Sequence, residues 1–520
     1  MSYTFFRRAD LKDVLKCKGE SMKLEDIISQ NIVLSLDDLK ADEKLLKQIQ
    51  TKLNALGLYP GGQWIDGDYG GTTENALKAF CAACSLPNMD TKKFDKSFAG
   101  QLTIVKQLPF ILEEASAQDK LFNKLWNIEQ KWLDYYRPQD TDNLAFLDRL
   151  IDYSPYDQEI DNYPDRLKGQ PDGKTVISYG ATANLSNPNR TVTFSSYPKV
   201  GTLPQPAIDD QGLSFLLEEI TEACVCVGSF VGNELKAHWL GKNALHPVQL
   251  LSSTKFIPIL NVVCQANAKS SSVDVDNCNI RGDGARTGYQ FYDFVEDVVT
   301  YAENIGTSNS IAAMFKRFQT RSKLEQWVKD ITGNKNLNFQ GDYGEPSFYQ
   351  DPELFNRKTG NTVLGAALDT SQGKNYLSAY DLTRFVTMLG WHYHIAPEAR
   401  LPGAQGHSLE SVIRAMGRDR ARYIDVAIET LGLENVLSSV VIISKLGLGD
   451  SGLCYVALTQ FVDEHLKTDG QPGKLRTLGM ALRVDRNKLP DSDTDASMAD
   501  AKMAAAVTEI IRRVVTEELA

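Results

Sequence analysis

The stretch VVIISKLGLGDSG, residues 440–452, decides the fold class, because an apolar run ends there in a glycine-rich turn. Short apolar runs that are bounded by turn residues predict β-strands. Five such runs predict strands, and they cover residues 225–231, 235–240, 438–444, 453–461 and 476–484. The first two are joined by Gly232-Asn233, a dipeptide that is typical of hairpin turns.

The region between these two groups of strands is predicted to be helical. Apolar residues of the segment 291–302 recur at helical spacing, for example. We also expect one helix over 213–224, before the first strand, and another around 503–514, near the end. Strands at both ends with helices between them predict an α/β fold of the α+β type, in which an antiparallel sheet is covered by a helical subdomain.

Composition restricts the class of protein. The chain has 520 residues, and 56 basic against 67 acidic side chains give a net charge of −11. This charge and the lack of a basic run argue against nucleic-acid binding, and no apolar stretch is long enough for a membrane span. Residues 1–10 contain two arginines but no apolar segment after them, so we expect a leaderless soluble protein. Eight cysteines are too few for a disulfide scaffold.

Residues 45–103 are predicted to form a small helical domain. The relevant pattern is Gln50-x-x-Leu53-x-x-Leu56-Gly57, then Asp66-Gly67-x-x-Gly70-x-x-Thr73, then Ala76-Leu77-x-x-Phe80. This order resembles the three-helix peptidoglycan-binding domain that is attached to many wall hydrolases. The alternative is a generic helical module with a similar core. Family membership alone does not specify which surface residues would contact the glycan.

The sequence therefore divides into four parts. Residues 1–44 form an N-terminal segment, and the helical domain follows at 45–103. Residues 104–205 are predicted to be a helical and irregular connector, because Pro, Gly, Asn and Asp become frequent there. Residues 206–520 form the large α+β domain, which contains the motifs with chemical potential.

The first motif is Ser-x-x-Lys, which occurs three times, at Ser196/Lys199, Ser252/Lys255 and Ser371/Lys374. About two copies are expected by chance in a chain of this length. Only the Ser252 copy precedes a long apolar stretch. On a helix this spacing places the serine and the lysine on one face, and burial of the amine would let it accept the serine proton. The alternative is an ordinary helix cap.

Two further motifs follow in the chain. Thr307-Ser308-Asn309 lies between two helical runs, where it either caps a helix or offers a hydroxyl and an amide to a substrate. Lys445-Leu446-Gly447 ends a predicted strand, where the lysine could hold a carboxylate and the glycine would permit close backbone approach. A rival copy, Lys358-Thr359-Gly360, is expected in a loop with no strand before it.

In this order and on these elements, the three motifs resemble those of the penicillin-recognising serine hydrolases. That superfamily includes the class A β-lactamases and the D-alanyl-D-alanine peptidases of the bacterial cell wall. The resemblance covers roughly residues 210–520 and implies an acyl-enzyme mechanism without a metal or cofactor. It implies peptidoglycan or its peptide fragments as partner, and β-lactams as further ligands.

The resemblance also implies a role for each residue. Ser252 would be the acylated nucleophile and Lys255 its base, while Thr307 and Asn309 would shuttle protons and hold substrate. Lys445 would bind the substrate carboxylate, with Gly447 beside it. The backbone N–H groups of Ser252 and Leu448 would form the oxyanion hole. Each of these residues occupies the matching position of a family motif.

Three departures from the family pattern keep alternatives open. Thr307 replaces a serine, Leu446 replaces a small hydroxyl residue, and a deacylating glutamate has no secure counterpart, although the segment 351–356 is suggestive. A catalytically weak or inactive protein that binds wall fragments or a protein partner is therefore the second hypothesis. Metal-dependent hydrolysis by His392, His394, His407 and Glu398 is a third.

Location is left open by the sequence. The resemblance implies the periplasm or cell envelope, whereas the start of the chain predicts a cytoplasmic protein or leaderless export.

Overall fold

The computed structural model describes residues 22–55, 58–60, 64–83, 86–104, 117–136, 144–186, 189–367, 369, 373–434, 436–464, 471–490 and 494–520. Predictions that involve residues 1–21, Leu56, Gly57 or Ser371 lie outside the described residues. The described chain divides into two compact units, one within 1–142 and 425–435 and the other within 143–424 and 436–520. The four-part division made from the sequence stays a prediction.

The first unit is helical, as predicted for residues 45–103. Its helices are α1 (Leu24–Gln30), α2 (Leu36–Lys40), α3 (Glu43–Ala55), α4 (Gly71–Ala83), α5 (Asn88–Thr91), α6 (Lys96–Ile104) and α7 (Ala117–Tyr136). Two short strands, β1 (Leu34–Ser35) and β2 (Lys93–Phe94), pair antiparallel. The core contains Leu46, Ile49 and Leu53 of α3 and Leu77 and Phe80 of α4, all fully or almost fully buried.

Gln50 connects α3 to the loop that precedes α4. Its amide nitrogen donates hydrogen bonds of 3.0 Å to Asp66 Oδ1 and 3.2 Å to Thr73 Oγ1, and its amide oxygen accepts one of 2.8 Å from the Gly67 N–H. Gly67 has φ +79°, and a Cβ there would lie 2.6 Å from the Glu43 carbonyl oxygen. The polar residues and the Asp66-Gly67 pair of the sequence pattern therefore fix the loop before α4 through buried hydrogen bonds.

We predict that Gln50→Ala weakens this unit by about 1–3 kcal/mol, because the buried Gly67 N–H and the loop oxygens lose their partner. Native-state hydrogen exchange on the full chain would show faster exchange of the Gly67 amide and of α3 and α4. Gln101→Ala, at an exposed position on α6, is the matched control. Unchanged exchange in the Gln50 variant would contradict a structural role for the motif.

The rest of the chain combines helices with several sheets. The helices are α8 (Tyr163–Lys168), α9 (Phe256–Lys269), α10 (Phe291–Thr300), α11 (Ser308–Lys316), α12 (Arg321–Thr332), α13 (Ala379–Gly390), α14 (Gly406–Gly417), α15 (Tyr423–Thr430) and α16 (Asp495–Val515). The shorter strands are β3 (Val176–Ile177), β4 (Thr182–Ser186), β5 (Asn189–Thr193), β6 (Ser195–Ser196), β9 (Val248–Gln249), β10 (Cys278–Gly282), β11 (Tyr289–Gln290), β12 (Asn338–Phe339), β13 (Pro352–Asn356), β14 (Asn361–Leu364) and β15 (Asn375–Leu377).

Five long strands form the main sheet. They are β7 (Ile220–Val231), β8 (Glu234–Lys242), β16 (Leu437–Gly449), β17 (Gly452–Asp463) and β18 (Gly473–Asp485). Their four neighbouring pairs are antiparallel, in the order β16-β17-β18-β7-β8, so that strands from both ends of the domain meet in the centre. The short strands β6, which pairs with β8, and β3, which pairs with β18, complete a seven-stranded sheet. Every residue of β17 is buried, because helices such as α13 and α16 pack on the sheet. The predicted fold class is confirmed.

One predicted element is wrong. Residues 213–224 were expected to form a helix, but 210–219 form turns and β7 begins at Ile220. The strand is buried on both faces from Ile220 to Phe230, so its apolar residues do not alternate with polar ones. The apolar residues Leu213, Leu216, Leu217, Ile220 and Cys224 also satisfy helical spacing, and periodicity alone does not separate a buried strand from a helix.

The described residues include no helix that is long and apolar enough to cross a membrane. Lys358-Thr359-Gly360, expected in a loop without a preceding strand, instead lies in the exposed turn between β13 and β14.

Candidate active site

The candidate nucleophile lies at the start of a central helix. Leu251–Thr254 form a 3₁₀ turn that leads into α9, and the Lys255 N–H donates to the Ser252 carbonyl oxygen at 3.1 Å. Ser252 and Lys255 are therefore one helical turn apart. Leu251 has φ +54°, a conformation that a bulky side chain rarely adopts. Backbone strain of this kind concentrates at functional sites.

Lys255 is fully buried, and its amine has two polar partners. Nζ donates to Ser308 Oγ at 3.0 Å and to Asn309 Oδ1 at 2.6 Å. The pKa of Lys255 is lowered to about 6, mainly by burial and also by the nearby Lys445, whereas Glu345 acts in the opposite direction. The amine is thus largely neutral at pH 7, in the form that accepts a proton.

The residues of the second motif, 307–309, contact two different groups, the Lys255 amine and the Glu345 carboxylate. Thr307 is the N-cap of α11 and accepts from the Ser310 N–H, and its hydroxyl contacts the Glu345 carboxylate rather than Lys255. Asn309 lies between the Lys255 amine and the Glu345 carboxylate, since its amide nitrogen donates to Glu345 Oε1 at 2.9 Å. The structure therefore brings Asn309 to Lys255, and it places the Ser308 hydroxyl there instead of the Thr307 hydroxyl.

Lys445 lies on β16, the edge strand of the main sheet, and it is also fully buried. Its Nζ donates to the Tyr301 hydroxyl at 2.6 Å and to the Leu446 carbonyl oxygen at 3.0 Å. Burial lowers the pKa of Lys445 to about 7, against the opposing charge of Asp419. Two amines with depressed pKa values thus belong to one site.

Gly447 forms the contact between the edge strand and the 3₁₀ turn of Leu251–Thr254, which we call the nucleophile turn because it carries Ser252. A Cβ at this position would lie 2.8 Å from the Ser252 backbone nitrogen and 2.7 Å from that of Ser253. Leu448 follows, with 38% of its surface exposed. Edge strands leave backbone N–H and C=O groups without a partner in the sheet, and here those groups border the nucleophile.

Sequence reasoning missed three residues of the site: Tyr301, Ser308 and Glu345. Ser308 belongs to the Thr307-Ser308-Asn309 motif, so the sequence could also have indicated its hydroxyl as a partner of the lysine. Tyr301 ends α10 six residues before that motif, and Glu345 lies in the Gly344-Glu345-Pro346 turn. The segment 351–356, considered for the carboxylate, contains β13, where Glu353 pairs with Arg281 at 2.9 Å.

Two of the histidines considered for a metal site are hydrogen-bonded to backbone carbonyl oxygens. His394 Nε2 is 2.7 Å from the Leu167 carbonyl oxygen, and His407 Nε2 is 2.9 Å from that of Val273. Burial lowers the pKa of His392 to about 4. No cluster of three or more metal-ligating side chains occurs among the residues described.

We predict that Gly447→Ala lowers the free energy of unfolding by about 1–3 kcal/mol, because the added methyl group would overlap the backbone of the nucleophile turn. Urea unfolding of the full chain measures this. Gly449→Ala is the control, since its Cβ would be 3.0 Å from a flexible Leu251 methyl group. Equal stability of the two variants would contradict the close approach.

Comparisons with known proteins bear on both parts of the chain. Residues 42–90 match the family model "Putative peptidoglycan binding domain". A search of curated proteins finds no match. Among solved structures, PBP-A is similar with 14% identity and a TM-score of 0.35, over 60% of this chain and 100% of that one.

Two β-lactamase structures are similar at the same level. A β-lactamase from Sphaerobacter thermophilus has 14% identity and a TM-score of 0.32, over 55% of this chain and 88% of that one. A class A representative from Bacteroides cellulosilyticus has 12% identity and a TM-score of 0.31, over 56% and 92%. The family model that matches residues 42–90 is of the kind that the sequence pattern of the helical domain resembles.

Proposed function

We propose that the protein is a serine hydrolase of the Ser-x-x-Lys type, which acts through an acyl-enzyme on peptidoglycan stem peptides or related D-amino-acid peptides and esters. One observation carries the proposal. The Lys255 amine is buried one helical turn after Ser252, its pKa is lowered to about 6, and Ser308 and Asn309 hold it in place. A neutral amine at this position is a base for the serine hydroxyl.

In the acylation step, Ser252 Oγ attacks the carbonyl carbon of the substrate while its proton moves to Lys255 Nζ. The carbonyl oxygen becomes an oxyanion, which the backbone N–H groups of Ser252 and Leu448 would stabilise. Each such donor contributes about 3–4 kcal/mol in the transition state. Collapse of the intermediate breaks the scissile bond, and the lysine ammonium returns its proton to the leaving amine or alkoxide.

Glu345 supports a second, deacylating step. Its carboxylate is bound by Asn309 and Thr307 and lies near enough to Lys255 to oppose the fall in the pKa of that amine. We propose that Lys255 Nζ accepts the proton of a water molecule that attacks the acyl-enzyme ester and then returns it to Ser252 Oγ, while the Glu345 carboxylate stabilises the ammonium group that forms. The water oxygen bonds to the carbonyl carbon, and Ser252 Oγ leaves and regains its proton.

The first unit supports peptidoglycan as the source of the substrate. Residues 42–90 match a peptidoglycan-binding family model, and attachment to the wall would raise the local concentration of stem peptides around the catalytic unit. β-Lactams are acyl donors of the same chemical kind, because their amide carbonyl can acylate a serine.

The second candidate is a catalytically weak or inactive protein that binds wall fragments or a protein partner. It is favoured by one observation, namely that the Lys445 amine has no exposed surface and is covered by Tyr301. A lysine enclosed in this way does not bind a substrate carboxylate directly.

We predict that a neutral alkyl fluorophosphonate forms a covalent adduct with Ser252, in which an O–P bond replaces the P–F bond and fluoride leaves with the serine proton. Intact-protein mass spectrometry of the full chain should show one adduct, which is absent in Ser252→Ala. Lys255→Met should slow its formation by about 10²–10⁴-fold, because the base is lost.

Ser196→Ala is the matched control, because Ser196 belongs to another Ser-x-x-Lys copy and is exposed on β6. It should react like the wild type. An adduct that persists in Ser252→Ala, or no adduct on the folded wild type, would shift the conclusion to the binding protein.

A further inference from the structure

Tyr301 ends α10 in an unusual backbone conformation. Its φ of +58° lies in the left-handed region, which aromatic residues rarely adopt. Its N–H still donates to the Asp297 carbonyl oxygen at 3.1 Å. The Asp297 carboxylate then accepts from the Asn304 N–H at 3.1 Å and the Ile305 N–H at 2.6 Å. The buried Asp297 therefore fixes the loop that begins at Tyr301.

This loop directs the phenol into the active site. The Tyr301 hydroxyl accepts from Lys445 Nζ at 2.6 Å and donates to the Leu446 carbonyl oxygen at 3.2 Å. The ring centroid is 3.9 Å from Lys445 Nζ and 5.4 Å from Lys255 Nζ. Burial raises the pKa of the phenol far above its usual range, and a hydrogen bond with the Ser252 side chain partly opposes this rise. Tyr301 thus lies between the nucleophile and both amines.

The Lys445 amine is enclosed, and its two hydrogen bonds stay within the protein. A lysine that binds a carboxylate must present an N–H at about 2.8 Å from a carboxylate oxygen. The Lys445 amine has no exposed surface, and its N–H groups are directed to Tyr301 and to the Leu446 carbonyl oxygen. Leu446 itself offers no side-chain hydroxyl that could hold a carboxylate from the other side.

Lys445 also has a counter-charge already. Asp419 is fully buried, and its charge acts on Lys445 from within the protein. Asp419 Oδ2 accepts a hydrogen bond from Ser444 Oγ at 2.8 Å, which fixes this carboxylate against the edge strand β16. A substrate carboxylate at Lys445 would be a second negative charge beside the same buried amine. The amine would then attract two carboxylates, and this attraction would offset less of the free-energy cost of removing the substrate carboxylate from water.

From these contacts we infer that Tyr301 fills the position at which Lys445 would bind a carboxylate, so that the site selects acyl donors with no carboxylate next to the scissile bond. The inference rests on the proposed function and narrows its substrate class. Uncharged esters, and internal amides whose amine part carries no carboxylate beside the nitrogen, meet this requirement. Free C-terminal dipeptides and penicillins, which carry a carboxylate at this position, do not.

The test compares two reagents on the full chain. Benzylpenicillin carries a carboxylate beside its reactive amide, whereas a neutral alkyl fluorophosphonate carries none. Mass spectrometry over time gives a second-order rate constant for Ser252 with each reagent. Tyr301→Gly should raise the penicillin-to-phosphonate rate ratio at least about tenfold, because glycine removes the phenol and suits the left-handed backbone.

Two variants separate the side chain from the backbone. Glu303 is exposed and also has a positive φ, of +55°, so Glu303→Gly relaxes the same loop and should leave the ratio at the wild-type value. Tyr301→Phe keeps the ring in place and should still disfavour penicillin. An unchanged ratio in Tyr301→Gly, or an equal loss of both rates, would overturn the inference and would make Tyr301 part of the catalytic machinery.

A binding measurement keeps this inference distinct from the proposed function. Calorimetry with N-acetyl-D-alanine and with its uncharged carboxamide requires no acylation. The wild type should favour the carboxamide, and Tyr301→Gly should gain affinity for the carboxylate. If neither reagent acylates Ser252 but this change in affinity occurs, only the hydrolase proposal fails. If the wild type prefers the carboxylate, the inference fails whatever the outcome of acylation.

Discussion

The burial of two lysine amines in one site is the constraint on which the rest of the candidate active site depends. Neither Lys255 nor Lys445 has exposed surface, and an amine without water favours its neutral form. The two amines also repel each other when both are charged, which lowers the pKa of Lys255 further. Glu345 opposes the fall in the pKa of Lys255 and Asp419 opposes that of Lys445, but both pKa values stay depressed, so the site favours at least one unprotonated amine near neutral pH.

The fold supplies this arrangement from three separate elements. The nucleophile turn and α9 provide Ser252 and Lys255, the start of α11 provides Ser308 and Asn309, and β16 provides Lys445. Gly447 lets the edge strand approach the backbone of the turn, so that the first and third elements meet. A sheet assembled from strands at both ends of the domain is what brings β16 beside a helix that begins about 180 residues earlier.

Much of the fold was predictable because the five long strands are apolar runs with clear turn residues. The same physical feature caused the error at 213–224, since a strand that is buried on both faces has no alternation to distinguish it from a helix. Lys255, Asn309 and Lys445 were found through spacing and the apolar segments beside them, although the structure leaves their catalytic roles as proposals.

The remaining site residues could not be predicted from local pattern. Tyr301 and Glu345 reach the site from loops, and their positions depend on contacts with residues far away in the chain, such as Leu446 and Asn309. For Thr307 the local pattern was misleading. Its motif position suggested that its hydroxyl shuttles protons, but this hydroxyl caps a helix and contacts Glu345. A motif thus located the site, but only tertiary contacts determine which hydroxyl faces the amine.

The most direct test of the account is the titration of Lys255 itself. Lysine labelled with ¹³C at Cε, followed by NMR from pH 4 to pH 11, reports the charge of each amine, and Lys255→Met identifies the resonance. The account predicts that this resonance titrates near pH 6, which the burial of the amine implies. Titration near the ordinary lysine value of about 10.4 would mean that Lys255 is charged at neutral pH, and this would contradict its role as the base for Ser252.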